Sequence, residues 1–131
     1  MPLYKEKLSM CKPSGLLVTL LELKKFQEMA FYDLLLSAEC SVVPEVIHTS
    51  SYWLNHIHIM DKIFQAHLCG EAHDFTSTVS DDIPELRLLK QEAANSNNWL
   101  IAYAKSLDAD TAAERVQFTF TDGIPGAMTR E

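Results

Sequence analysis

Five histidines are the residues of this chain best suited to chemistry, because imidazole binds metal ions and exchanges protons near neutral pH. They are His48, His56, His58, His67 and His73. If residues 44–69 form one helix, His56 lies roughly 16 Å from His67 and about 12 Å from His48 along the axis, too far to share one metal ion. His56 and His58 would point to different faces, and no HxxxH or HExxH motif is present. The positions of the histidines in the sequence therefore do not by themselves predict a metal site.

His56 is the histidine whose position most needs an explanation. It falls on an apolar stripe with Trp53 and Ile63, so we expect its ring to face the interior. A buried imidazole requires a hydrogen-bond partner or a metal. A core histidine satisfied by Tyr103 or by a serine is the commoner of these outcomes. His58, by contrast, is expected on a polar face in solvent.

Other catalytic arrangements are missing from the sequence. It has no glycine-rich phosphate loop, no GxSxG nucleophile motif and no CxxC pair. The adjacent Asp81 and Asp82 are interpreted as capping and solvated charge rather than as an acid–base pair. The widely spaced Cys11, Cys40 and Cys69 argue against a disulfide framework or a zinc knuckle and favour reduced, partly buried thiols. No catalytic residue is predicted.

Composition excludes several classes of function. The 131 residues carry a net charge of −7, and the few lysines near the start form no basic stripe, which disfavours nucleic-acid binding. No stretch approaches the ~18 apolar residues of a membrane span, and residues 1–12 lack the apolar region of a signal peptide. We therefore expect a cytoplasmic protein that binds neither nucleic acid nor membrane.

The first two predicted elements are long amphipathic helices. The first should begin after residues 13–15, with Ser14 as N-cap, and end near Cys40. Its apolar residues recur at helical spacing, and the helix is so apolar that neighbours are expected on more than one side. The stripe is Leu16, Leu20, Leu23, Phe26 or Gln27, Ala30, Leu34 and Ala38, widened by Leu17, Leu21, Phe31 and Leu35. The second should start within residues 44–51 and run to about Cys69, where Gly70 favours termination. Its predicted buried stripe is Trp53, Ile57, Met60, Ile63, Phe64 and Leu68, and its predicted solvent face is Asn55, His58, Asp61, Lys62 and Gln65.

A third helix and a hairpin complete the predicted fold. The helix should be capped by Asp82, with Glu85 three residues on, and should end near Asp108. Its predicted inward residues are Leu86, Leu89, Ala93, Leu100, Ala104 and Leu107. Val116, Phe118 and Phe120 then alternate with polar residues, which is typical of a strand, and a turn at 122–126 would let 127–130 pair back. The pattern predicts one all-α domain over residues 1–131, an up-down bundle with a short C-terminal β-hairpin.

Two stretches carry a resemblance to a known family. The segment WLNHIHIMDKIF at 53–64, followed by LCGE at 68–71, resembles the second helix of the DinB family, where an N-H-I/L sequence precedes an aspartate, an aromatic and L-x-G. The segment VQFTFTDG at 116–123, followed by MTRE at 128–131, resembles the short hairpin before the last helix of that family. Their order and separation match the family, and with the helix pattern the resemblance covers nearly the whole chain.

The resemblance implies a four-helix bundle, often dimeric, with a divalent metal, commonly nickel or zinc, held by three histidines. His56 matches the ligand from the second helix. The other two ligands come from an HxxxH stretch followed by an HRGQ-like run, and the sequence ends at Glu131, where that helix would begin. The metal site is therefore expected to be incomplete and no cofactor is expected, since catalytic zinc sites use three protein ligands.

Three functional hypotheses follow from the resemblance. The first is a homo-oligomeric interaction module, most simply a dimer, in which a second copy covers the apolar groove left by the fourth helix. The second is a divalent-metal-dependent hydrolase or thiol-transferase whose nickel or zinc site is completed between subunits. The third is a shortened gene product without a selected function.

Overall fold

The computed structural model describes residues 14–38 and 43–131. Within them lie three long helices, α1 (Ser14–Ala38), α2 (Pro44–Cys69) and α3 (Leu86–Ser106), followed by a short helix, α4 (Ala109–Ala112). Two antiparallel strands, β1 (Arg115–Thr119) and β2 (Pro125–Thr129), form a hairpin. The three predicted helices and the predicted hairpin are confirmed. Cys11 and Cys40, and the predicted capping contact of the Ser14 side chain, lie outside the described residues.

Helix α2 is bounded as its sequence predicts. Pro44 occupies its first turn, where the missing N–H has no intrahelical partner to lose. Gly70 ends it in the left-handed region, at φ 67°. The Gly70 N–H donates to the carbonyl of His67 at 3.2 Å, and the Glu71 N–H donates to that of Ala66 at 2.9 Å. This pair of bonds is a Schellman motif, which requires a residue that tolerates positive φ.

The start of α3 differs from the prediction. Asp82 does not cap it: residues 82–85 are extended, and the Glu85 carboxylate accepts the Leu88 N–H at 3.2 Å. Pro84 explains the difference, because a proline disfavours helical backbone at the residue before it. Leu86, Leu89 and the other predicted inward residues of α3 are buried.

Helices α1 and α2 both pack along α3, while direct contact between α1 and α2 is slight. At one end of α3 the three helices share an apolar core formed by Tyr32, Leu35, Leu54, Leu86, Leu89 and Ala93. Further along, where α3 carries the buried Ser96 and Asn97, the interior is polar. α3 is therefore the element against which the other two are positioned.

Most of the apolar stripe of α1 is exposed, and the neighbours expected on more than one side are not found among the described elements. Leu16, Leu20, Leu23, Phe26 and Leu34 are exposed, with Leu16 at 71%, whereas the buried face carries Glu28, Tyr32 and Leu35. Periodicity locates an apolar stripe but does not say which neighbour covers it. Among the described elements α1 has one long neighbour, α3, and only the face turned to α3 is buried.

The faces of α2 are opposite to the prediction. Its predicted solvent residues Asn55, His58 and Asp61 are buried, while Trp53 is 54% exposed and Phe64 is 36% exposed. Of the predicted stripe, Ile63 is buried as expected. The physical reason is the same, because the buried face of α2 mixes these polar residues with Leu54 and Ile59, while its aromatic residues are left uncovered.

The hairpin docks on the C-terminal end of α2. Its turn is closed by the Phe120 N–H, which donates to the Ile124 carbonyl at 2.8 Å, with Gly123 at φ 88°. The second strand begins at Pro125 rather than at the predicted Ala127, which is acceptable for a proline because the first residue of a strand need not donate. The Phe118 ring stacks on His67, with ring centroids 4.5 Å apart.

Candidate functional site

A charged cluster joins the three long helices. The Lys24 ammonium of α1 donates to Glu28 Oε2 at 2.8 Å, to Asp61 Oδ2 of α2 at 2.7 Å and to Asn97 Oδ1 of α3 at 2.7 Å. Glu28 is 8% exposed, Asp61 7% and Asn97 1%. An ammonium has three N–H donors, and all of them are used here. The cluster therefore fixes the helices relative to one another and leaves Lys24 no donor for a ligand.

The electrostatics of the cluster are unbalanced, because one cation faces two buried carboxylates. Burial raises the pKa of Asp61, and the hydrogen bond from Lys24 opposes that rise. Tyr32 adjoins the cluster and is fully buried. Burial and the charges of Glu28 and Asp61 raise the pKa of the Tyr32 phenol, which holds it neutral. Among the described residues the Tyr32 hydroxyl has no hydrogen-bond partner.

His58 lies on the same buried side of α2, so the prediction that it is solvated is wrong. It is 7% exposed, its Nε2 lies 3.5 Å from Glu92 Oε2, and its Nδ1 has no partner among residues 14–38 and 43–131. Burial lowers the pKa of His58, and the nearby Glu92 carboxylate only partly offsets this. It lines a pocket of about 410 Å³ together with Asp74 and Asp82. The sequence signal was the spacing of Asn55, His58 and Asp61, which places three polar residues on one helical face.

His56, the predicted metal ligand, lies half-buried at the edge of α2. Its Nδ1 lies 2.6 Å from the backbone carbonyl of Thr78 in the loop before α3. A carbonyl only accepts, so Nδ1 carries the proton and Nε2 presents a lone pair. The ring meets Trp53 edge to face at a centroid distance of 5.7 Å. The predicted partner Tyr103 is wrong, since its hydroxyl accepts instead from Arg130 at 3.3 Å.

The hydrogen bond of His56 is typical of a histidine that binds a metal, but the further ligands that a metal site needs are not found beside it among the residues that the structure describes. Histidine ligands commonly donate their second nitrogen to a carbonyl, as His56 does. Within the described part of the chain, however, no three His, Cys, Asp or Glu side chains come together as a metal site. His67 and His73 lie close to each other, with ring centroids 5.4 Å apart, at the far end of α2. Cys69 is a free thiol as predicted, although exposed.

An apolar groove separates α1 from α2. Its volume is about 700 Å³, and its walls include Phe31 of α1 with Trp53, Leu54 and Ile57 of α2. Lys24 and Glu28 line its polar edge, so the charged cluster borders the groove. The groove exists because α1 and α2 each pack on α3 rather than on each other.

Exposed apolar side chains lie on the same two helices as the groove. We call them the open face, and its members are Leu16, Leu20, Leu23, Phe31, Leu34, Trp53 and Phe64. Neither an acidic nor a basic residue is among them. A surface of this composition suits another apolar surface rather than a charged substrate.

No described helix is long and apolar enough to cross a membrane. No family model matches the sequence, and neither a curated protein nor a solved structure matches it. The resemblance to the DinB family therefore stays a prediction that depends on the two motifs, and function must be argued from the charged cluster, His56 and the open face.

Proposed function

We propose that this chain is a DinB-like helical-bundle protein that acts as a homo-oligomeric interaction module, in its simplest form a dimer. The observation that carries the proposal is the open face. We expect a partner surface to fill the groove between α1 and α2, as a fourth helix fills the corresponding space in such a bundle. The charged cluster then has a structural role, since it holds α1 and α2 at the separation that keeps the groove open.

The size of the open face supports this proposal. Its seven large side chains are 36–71% exposed. Together they present on the order of 800 Å² of apolar surface, the area that each partner contributes to a typical stable complex. Burying a leucine-sized side chain contributes ~1.5–3 kcal/mol. The free energy gained by covering even half of the open face is therefore large compared with the total stability of a domain.

A second copy is the partner that the composition favours. The charged residues that border the groove, Lys24 and Glu28, are paired with each other, so two copies with a net charge of −7 each can meet there without unpaired carboxylates at the centre of the contact. Two-fold pairing of one surface with itself is also the commonest form of association among soluble oligomers.

Light scattering coupled to size exclusion tests the proposal. At micromolar concentration the wild-type chain should have twice the 14.8 kDa mass of the monomer. Trp53→Glu should shift it towards monomer, because a carboxylate would be buried in the contact without a partner. Leu88→Glu is the matched control, since Leu88 is 51% exposed on α3, outside the open face. A monomeric wild-type chain would refute the proposal.

His56 supports a second candidate function, a divalent-metal-dependent hydrolase or thiol-transferase with a site completed between subunits. The specific observation is its bond to the Thr78 carbonyl, which leaves Nε2 as an electron-pair donor. Elemental analysis of the purified protein should then find nickel or zinc in stoichiometric amount. The metal should be lost in His56→Ala and kept in the exposed control His48→Ala. Protein free of metal after purification and after incubation with Ni²⁺ or Zn²⁺ would rule this candidate out.

A further inference from the structure

The apolar stripe of α1 has the spacing of a coiled-coil seam. Leu16, Leu20, Leu23, Gln27, Ala30 and Leu34 follow one another at alternating intervals of four and three residues. All six are exposed on the face opposite α3. An average interval of 3.5 residues keeps a stripe in contact with a second helix over several turns, whereas a stripe that packs on a sheet or a loop needs no such regularity.

The positions within the heptad are compatible with a two-stranded seam. The 4-3 order places Leu16, Leu23 and Ala30 at d and Leu20, Gln27 and Leu34 at a. Leucine at d is compatible with two strands, and a single polar residue at a is the usual determinant of register. Gln27 is the polar residue of this seam, near its middle.

Gln27 also distinguishes the two possible directions of pairing. In a parallel, in-register pair it lies opposite Gln27 of the second copy, and the two amides can bond to each other. In an antiparallel pair centred on the seam it lies opposite Leu23, and its amide is covered without a partner. A buried amide that lacks a hydrogen bond is costly, so the parallel arrangement is favoured.

The residues beside the seam agree with the parallel arrangement. Phe26 falls at g and Phe31 at e, and both are exposed, at 71% and 42%. In a parallel pair g of one helix meets e of the other, so these two aromatics come together on both sides of the seam. The flanking charges do not interfere, because Lys24 is held in the charged cluster and Asp33 is paired with Lys90 of its own chain.

We infer that the second copy docks through α1, parallel and in register, with Gln27 facing its counterpart across the two-fold axis. This inference depends on the proposed self-association and specifies its geometry. It assigns the centre of the contact to the α1 seam, and because Gln27 and Phe31 also line the groove, the contact continues into the groove towards Trp53.

Cysteine cross-linking tests the register. Gln27→Cys should form a disulfide between identical positions on mild oxidation, identified by mass spectrometry of the linked peptide, because facing a positions lie within disulfide range. Leu88→Cys is the matched control and should give no such link. Formation of a link only in a mixture of Leu23→Cys with Gln27→Cys would overturn the parallel arrangement.

A charge in the seam provides the second test. Leu23→Glu should raise the dissociation constant of the dimer at least tenfold, with Leu88→Glu unchanged and circular dichroism confirming that both remain helical. If wild-type protein is a monomer, the proposed function and this inference both fail. If it is a dimer that ignores Leu23→Glu and gives no Gln27 link, the inference alone fails and the contact lies elsewhere on the open face.

Discussion

Replacement of Lys24 by methionine removes the cation that lies between the buried carboxylates of Glu28 and Asp61. The Lys24 ammonium bonds to Glu28, Asp61 and Asn97 at 2.7–2.8 Å, and methionine keeps most of its length without its charge. Breaking a buried ion pair from one side costs about 3–5 kcal/mol, because the remaining charge stays desolvated. The Lys24 side chain is 29% exposed, which admits some solvent, so we expect a loss of about 3 kcal/mol.

Urea denaturation followed by circular dichroism measures this loss. With an m value of ~1–3 kcal/mol/M for a small protein, the midpoint should fall by about 1–3 M. Lys25→Met is the matched control, because Lys25 is the next residue and bonds only to the exposed Asn98. The free energy of unfolding of Lys25→Met should stay within about 0.5 kcal/mol of the wild-type value.

A triple variant tests whether the stability lost in Lys24→Met comes from the unpaired carboxylates or from the changed shape of the side chain. Lys24→Met combined with Glu28→Gln and Asp61→Asn leaves no charge in the cluster, so most of the lost stability should return. If Lys24→Met costs less than about 1 kcal/mol, or if the triple variant is no more stable than the single one, the cluster does not hold the helices in the way proposed here.

Two further predictions concern His58 and the hairpin. Burial lowers the pKa of His58, so as the pH falls the unfolded chain takes up a proton before the folded chain does, and stability should decline as the pH falls below about 6.5. His58→Gln should flatten this decline in urea midpoints, and the exposed His48→Gln should not. Gly126→Ala would place a Cβ 2.7 Å from the Phe120 ring, so it should lower the free energy of unfolding by about 1–2 kcal/mol in the same assay. Gly15→Ala is the control, because its Cβ meets open space in α1 and should not destabilise the protein. A flat wild-type profile or a neutral Gly126→Ala would contradict these predictions.

The sequence predicts the elements of this fold better than their faces. Gly70 and the helical period place the ends of α2 correctly, and alternation at 116–120 predicts the first strand, because these signals are local. The apolar stripes of α1 and α2 predict neighbours on those faces, because apolar residues are usually covered within the chain. Here the faces that are buried against α3 mix polar residues such as Glu28 and Asp61 with apolar ones such as Leu54, and no local signal distinguishes these outcomes.

The charged cluster could not be predicted for a related reason. Lys24 meets partners 37 and 73 residues away, and a single sequence does not show which distant residues meet. The polar spacing of Asn55, His58 and Asp61 was visible but was assigned to solvent, which is the usual location of such residues. The stripe of α2 predicts that His56 faces the interior, whereas the residue is half-buried, and its bond to the Thr78 carbonyl depends on how the loop folds back.

The contacts of Lys24 also bear on the order in which the chain folds. Bringing Lys24 to Asp61 and Asn97 closes loops of 37 and 73 residues. The entropy cost of closing these loops must be met before the hydrogen bonds of Lys24 can contribute any stability. Three hydrogen bonds to one ammonium further require all three helices to be in place. These bonds are therefore expected to form after the folding transition state, so they slow unfolding and leave the folding rate nearly unchanged. The charged cluster is thus expected to form late in folding and to slow the separation of helices that have already assembled.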